Sequence, residues 1–259
     1  MSTPLIPIEI ESIYKKGDQS VLLPSRMAKC TSDTLASIRA IQADLAKDVG
    51  NLVLSDLFRS YDMQLQAYMD WKSKKKRAFS PPPGGSMHEA GRAFDLDLSQ
   101  IKISLRKFWN TAKKYGITPI ISKPDENLNE AWHFDKRGSH QLVYDYFQRN
   151  PDWGIKPYKA MSASAIMAIG IHVDDYGNKQ KEANIQFGLL RLGKDNIGKI
   201  DGIIGPKTRS ALGEEGITSY DIAAIETEIE SKLQLKFPDE YSLKSILYEE
   251  PPTPESVIG

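Results

Sequence analysis

The chain has 259 residues, 34 Lys and Arg against 34 Asp and Glu, and a single cysteine. That length suits more than one domain, and the balanced charge offers no electrostatic hold on nucleic acid or anionic lipid. One thiol, Cys30, excludes an internal disulfide and a Cys-rich metal site, and reads as a small buried side chain.

No apolar run approaches the roughly 20 residues of a membrane span. The opening MSTPLIPIEIESIYKK has no basic start, continuous apolar core or small-residue cleavage site, so no ordinary secretory signal is read there. Pro4 and Pro7 in an alternating stretch predict an edge strand or extended arm. Ser32 or Asp33 can cap a helix carrying Leu35, Ile38, Ile41, Leu45 and Val49, stopped by Gly50. Leu52–Leu54 reads as a short strand. A helix from about Asp62 carries Leu65, Tyr68, Met69 and Lys72 and ends in Lys74-Lys-Lys-Arg77, a solvated run favoured by the helix dipole. Pro81-Pro-Pro-Gly-Gly85 is a loop. Strands are expected over 92–98, 117–121 and 131–134, with helices around Leu105–Ala112 and Leu142–Tyr146.

After Asn150–Pro157 the character changes. Ala163–Ile171 and Glu182–Leu192 read as helices, Asp201-Gly202 as a turn, Pro206 as the first position of a short helix, and Ile222, Ile225, Ile229 and Leu233 as one face of another, capped by Thr218 or Ser219. The tail from Glu249 is proline-rich and polar, a composition that favours disorder. The expected fold is α+β: a small antiparallel sheet with flanking helices over 1–150, a linker over 151–159, a small all-α three-helix module within 160–235, and a tail over 236–259.

Two stretches carry the chemistry. Ser86-Met-His88-Glu-Ala-Gly91-Arg-Ala-Phe-Asp95-Leu-Asp97 is followed at a distance by Glu130-Ala-Trp132-His133. Catalytic zinc takes three protein ligands, His or carboxylate, and leaves a fourth position for water. His88, Asp95 and His133 fit that count. Asp97, two residues along the same strand face, is the alternative ligand or a partner that orients an imidazole. Glu130, three before His133, would face away on a regular strand, so a bulge or loop is required to turn it to the site as acid/base. His140 and His172 have no carboxylate pattern around them and read as surface residues.

The pattern Ser86-x-His88-x-x-Gly91-x-Ala93-Phe94-Asp95 with Glu130-x-Trp132-His133 resembles the zinc peptidases of the D-Ala-D-Ala carboxypeptidase group, which includes vancomycin-resistance dipeptidases and phage L-alanyl-D-glutamate endolysins and shares its fold with lysostaphin-type enzymes and hedgehog domains. The resemblance covers about residues 30 to 148. It implies Zn²⁺ held by His88, Asp95 and His133, with Glu130 as general acid/base. A further segment, Arg59-Ser60-Tyr-Asp-Met-Gln64, matches the family's Arg-Ser-x-x-x-Gln and implies Arg59 at the scissile carbonyl or a substrate carboxylate, with Gln64 among the substrate contacts. Ser86 either meets substrate or braces its loop; Trp132 is either core or a substrate platform. The other reading of Arg59 is a structural ion pair.

Asn184-Ile-Gln186 to Gly193, with Ile200-Asp201-Gly202-Ile-Ile-Gly205-Pro206-Lys207-Thr208 to Leu212, resembles the three-helix peptidoglycan-binding domain, although Gly213-Glu-Glu215 replaces the usual aromatic-Gln ending. The two resemblances together imply a monomeric peptidase that cuts peptidoglycan stem peptides, first an L-Ala–D-Glu endopeptidase of lytic type. The alternatives are a D-Ala-D-Ala carboxypeptidase and a wall-binding protein without catalysis. A hedgehog-like signalling module fits the wall-type helices poorly. Action is expected at the cell wall, in the periplasm or outside the cell. Without an ordinary signal, release would be through a holin or another non-classical route.

Overall fold

A computed structural model of the chain describes residues 2–242; the proline-rich tail from Glu249 lies outside the described residues. The N-terminal stretch forms β1 (Leu5–Pro7), β2 (Glu11–Lys16) and β3 (Gln19–Leu22), followed by β4 (Lys29–Thr31) and α1 (Ser32–Ala46). β5 (Leu54–Asp56), α2 (Tyr61–Lys72), β6 (Ala93–Leu96), α3 (Leu105–Lys114), β7 (Ile117–Pro119), β8 (His133–Lys136) and α4 (Gln141–Arg149) complete the mixed part. The fold is α+β, as the element pattern implied. Six strands run in the order β3-β2-β5-β6-β8-β7, antiparallel except for β2 with β5, and β1 pairs with β4 in a separate ribbon.

Local chemistry sets most element ends. Leu35, Ile38, Ile41 and Leu45 of α1 are buried at helical spacing, but the helix stops at Ala46, and Val49 stands 88% exposed at a positive φ of 59°. α2 is capped by Ser60, whose side chain accepts from Met63 N. Its expected apolar stripe points outward: Leu65 and Met69 are exposed, and the buried position is Gln64.

The C-terminal part holds α5 (Pro157–Ala168), α6 (Gln180–Leu192), α7 (Pro206–Glu214), α8 (Ile222–Lys236) and a helical turn α9 (Pro238–Tyr241). The cap of α8 is Asp221, which accepts from Ala224 N at 2.8 Å, in place of the expected Thr218 or Ser219. Gln186 explains the Asp-Gly turn. Its buried carbonyl accepts from Asp201 N and Gly202 N, while its amide donates to Ile203 O at 3.1 Å. Gly202 has φ +67°, and a Cβ there would strike Lys179, so this turn requires glycine.

Two apolar clusters meet at the metal motif. One gathers Ile38, Leu54, Phe94, Leu96, Phe108 and Phe134. The other joins Val143 and Phe147 of α4 to α5, α6 and α8, and includes Met87, Ala90 and Ala93. Alternation along β6 does the sorting: Phe94 and Leu96 enter the first cluster, while Ala93 and Asp95 share the opposite face.

Candidate metal centre

His88 lies on a 3₁₀ turn, Met87–Ala90, that the sequence closes at both ends. Ser86 and Glu89 form a capping box at its start. The Glu89 carboxylate also accepts from Gly84 N at 3.0 Å, which fixes the glycine loop. Burial pushes the Glu89 carboxyl up to about 7, against the pull of the Gly84 and Ser86 backbone donors. Gly91 ends the turn at φ +63°, where a Cβ would meet Leu5 and the Cys30 backbone. The chain then enters β6, where Asp95 pairs directly across the ladder from His133 on β8.

The two imidazoles are set by their outward nitrogens. His88 Nδ1 donates to Leu57 O at 2.9 Å, since a carbonyl can only accept. His133 Nε2 donates to Asp135 Oδ1 at 2.9 Å. The remaining nitrogens, His88 Nε2 and His133 Nδ1, lie 3.3 and 2.9 Å from Asp95 Oδ1. The three ligand atoms fall within 4.8 Å of one another, and all three residues are buried. Two ring lone pairs and a carboxylate converging from three directions suit a tetrahedral cation with one open position, so the residues fit a metal ion.

Electrostatics agree. Burial would raise the Asp95 carboxyl, but His88 and His133 outweigh it and hold the group well below the usual carboxylate range. Burial would lower His133, but the Asp135 and Asp95 carboxylates push it up to about 10. The pocket between them is therefore built to hold positive charge.

Glu130 sits in the turn before β8, with φ +68°, and its carbonyl accepts from His133 N at 3.0 Å. This is the irregular backbone needed to swing a carboxylate toward the ligands; a non-glycine residue in that region is strained. Glu130 Oε1 is buried without a hydrogen-bond partner among the described residues, and burial raises the Glu130 pKa.

Arg59 uses Nε on Asp56 at 2.5 Å, Nη1 on Gln64 Oε1 at 3.2 Å and Nη2 on Asp95 Oδ2 at 3.4 Å. It lines the same cleft as the ligands. Gln64 is fully buried, is not among the cleft-lining residues, and donates to Pro81 O at 2.6 Å, so the structure places it as a brace between Arg59 and the proline loop. Ser86 and Trp132 both line the cleft. Ser86 Oγ also accepts from His88 N at 3.3 Å.

Asp97 does not reach the centre. β6 ends at Leu96, and Asp97 instead caps the next 3₁₀ turn, Leu98–Gln100, accepting from Ser99 N. Asp135 takes the orienting position, two residues along β8 from His133 and fully buried; the period-two spacing on that strand was the signal for it. His140 is not a surface residue. It is buried, bonded to Ser164 Oγ at 2.9 Å. His172 is exposed as expected, and Cys30 is a buried thiol whose pKa burial raises to about 12.

The cleft has a volume of about 700 Å³. Tyr14, Phe79, Ile120 and Trp132 form apolar parts of its wall, and Arg59, Lys76, Lys156 and Lys159 bring positive charge.

Residues 27–139 match the VanY family, D-alanyl-D-alanine carboxypeptidase. The VanY segment is less than half of the chain, and it contains His88, Asp95, Glu130 and His133. Among solved structures, that of the LdcB LD-carboxypeptidase, described as revealing the molecular basis of peptidoglycan recognition, is similar at 16% identity and TM-score 0.40, over 61% of this chain and 77% of that one. No curated protein matches the chain at a significant level. Among the described residues, no helix is long and apolar enough to cross a membrane.

Proposed function

We propose that the protein is a zinc-dependent peptidase that hydrolyses stem peptides of peptidoglycan. The observation that carries the reading is the convergence of His88 Nε2, His133 Nδ1 and Asp95 Oδ1 in one cleft with Glu130, whose buried Oε1 has no hydrogen-bond partner among the described residues. The VanY segment supports the substrate class.

His88, Asp95 and His133 would hold Zn²⁺. When bound, it supplies Lewis acidity toward water and a carbonyl oxygen. Glu130 Oε1 accepts a proton from the attacking water and returns it to the leaving nitrogen. Burial raises the Glu130 pKa toward neutrality, which brings its two protonation states closer in energy for that exchange. Arg59, pinned by Asp56 and Gln64, offers a fixed fork of donors to developing negative charge. Tyr14, Phe79 and Trp132 give the open cleft apolar wall for substrate to lie against, and Lys76, Lys156 and Lys159 suit the carboxylates of a stem peptide.

The first reading of the bond is L-Ala–D-Glu, cut by a lytic endopeptidase that acts at the wall as a monomer, with α5–α8 holding the polymer. The second reading, removal of a terminal D-Ala, is favoured by the carboxypeptidase description of the matching family. Mass spectrometry of digested peptidoglycan separates them. New N-terminal D-Glu ends that vanish with chelator and with Glu130→Gln support the first reading, and free D-Ala supports the second. No cleavage, with binding to wall sacculi retained, leaves a binding protein.

A further inference from the structure

The proposed ligands all lie within the VanY segment, yet the centre is braced from outside it. α5 packs against the Met87–Ala90 turn that carries His88. In its first turn, Tyr158 places its hydroxyl 3.0 Å from Asp135 Oδ1 and 3.3 Å from His133 Nε2. Asp135 Oδ1 therefore faces two donors, the imidazole N–H and the phenol. Its other oxygen is buried without a hydrogen bond, and Arg137 Nε stands 3.7 Å away, too far to bond it well.

We propose that Tyr158 is a positioning residue of the metal centre: its hydroxyl fixes Asp135, and Asp135 fixes His133 with Nδ1 turned toward the ion. This rests on the metal reading above. Without the phenol, Asp135 Oδ1 keeps one donor, and the carboxylate is free to rotate toward Arg137. His133 then loses the partner that sets its tautomer and ring angle. Partners of this kind contribute about 10- to 100-fold to metal affinity. A phenylalanine would fill the same space among the apolar neighbours of α5, so packing alone does not call for a hydroxyl here. The consequence is that the helical part, whatever polymer it holds, also completes the metal centre.

The test uses the full chain stripped of metal. Zn²⁺ affinity is measured by competition with a chromophoric chelator, and geometry by the visible absorption of the Co²⁺ form, both without substrate. Wild type should bind about one ion per chain. Tyr158→Phe should bind about 10- to 100-fold more weakly, with altered Co²⁺ bands. Asp135→Asn should weaken binding at least as much, and the double variant should add little, because both act through one hydrogen-bond chain. Tyr146→Phe is the control. Its hydroxyl donates to Gly198 O at 2.7 Å, away from the centre, so it should cost thermal stability and leave metal affinity unchanged. Wild-type affinity and Co²⁺ bands in Tyr158→Phe, or losses from Tyr158→Phe and Asp135→Asn that simply add, would overturn the inference while leaving the metal reading intact. Failure of the wild type to bind either ion would overturn the metal reading, and this inference with it.

Discussion

Two buried ionic clusters lie close together in this molecule, and they are finished differently. Around Arg92 the polar groups are saturated. Its guanidinium meets Asp33 at 2.5 and 3.0 Å and donates to Lys136 O at 2.9 Å. Glu240 of α9 accepts from Ser139 N, Ser139 Oγ and Arg191 Nη2, at 2.6 to 2.9 Å. No cleft residue of the metal centre belongs to this network. Around Asp95, by contrast, Glu130 Oε1 has no partner, Glu130 has a strained backbone, and the groups face an open cleft. Burial and charge are common to both clusters. What separates them is unspent valence at a solvent-accessible cavity, which a structural network avoids because an unsatisfied buried polar group costs stability.

The sharpest way to break this contrast is Glu130→Gln. It should lower turnover of peptidoglycan by about 10³-fold without lowering the thermal midpoint; comparable turnover would remove Glu130 from catalysis. In the saturated cluster the expectation is reversed. Glu240→Ala leaves Arg92 and Arg191 short of a buried partner and should cost about 3–5 kcal/mol of stability in urea unfolding. Turnover per folded molecule should persist at low temperature. A stability loss under 1 kcal/mol would show that the network is dispensable.

Acid should reach the saturated cluster first. Burial, with Arg191 and Arg92 nearby, holds His140 well below its ordinary 6.5, so the folded state keeps it neutral where the unfolded chain takes up a proton. Its contribution is full above pH 6.5 and is lost as pH falls below it, with a slope of up to about 1.4 kcal/mol per pH unit. Glu240 has a lowered pKa: burial alone would raise it, but Arg92 and Arg191 outweigh that. Its contribution is present above the ordinary 4.5 and is lost as pH falls through the lower folded value. Glu89, raised to about 7, works in the opposite direction between pH 7 and 4.5, because its folded state takes up a proton first. The His140 effect is therefore read as a difference: between pH 6.5 and 4.5 His140→Gln should lose less stability than wild type, and the Glu240 loss should follow below pH 4.5. An unchanged slope in that variant would assign the acid sensitivity elsewhere. The smallest effect belongs to neither cluster: Ser60→Ala removes the α2 cap and should cost about 1 kcal/mol, with little change in metal affinity.

Local pattern made the centre of the molecule legible. His88, Asp95 and His133 were readable because ligand type and spacing are carried by short stretches, and Glu130 because its distance from His133 demanded an irregular turn, which φ +68° supplies. The α+β class followed from strand and helix periodicities over 1–150 and from the small-residue helices after them. Other residues escaped for physical reasons. Periodicity marks a helix face but not which way it turns, so Leu65 and Met69 point to solvent while Gln64 is buried. A strand's end is decided by capping, so Asp97 turned away and Asp135 took the imidazole. His140 has no carboxylate pattern around it in sequence; its burial comes from helices that meet only in the fold.

By itself, then, the sequence marked His88, Asp95 and His133 as candidate ligands, with Asp97 as the alternative, and Glu130 as a carboxylate beside them, because residue type and near-neighbour spacing are carried by short stretches. Only the tertiary structure decided what holds them in place. Leu57 O and Tyr158 come from the loop after β5 and from α5, 31 and 25 positions from the histidines they serve, and Asp135 comes from β8 beside His133. Leu57 O and Tyr158 are brought to the histidines by packing of whole elements, which no local spacing encodes; Asp135 alone had a local signal, its place two residues along the strand from His133.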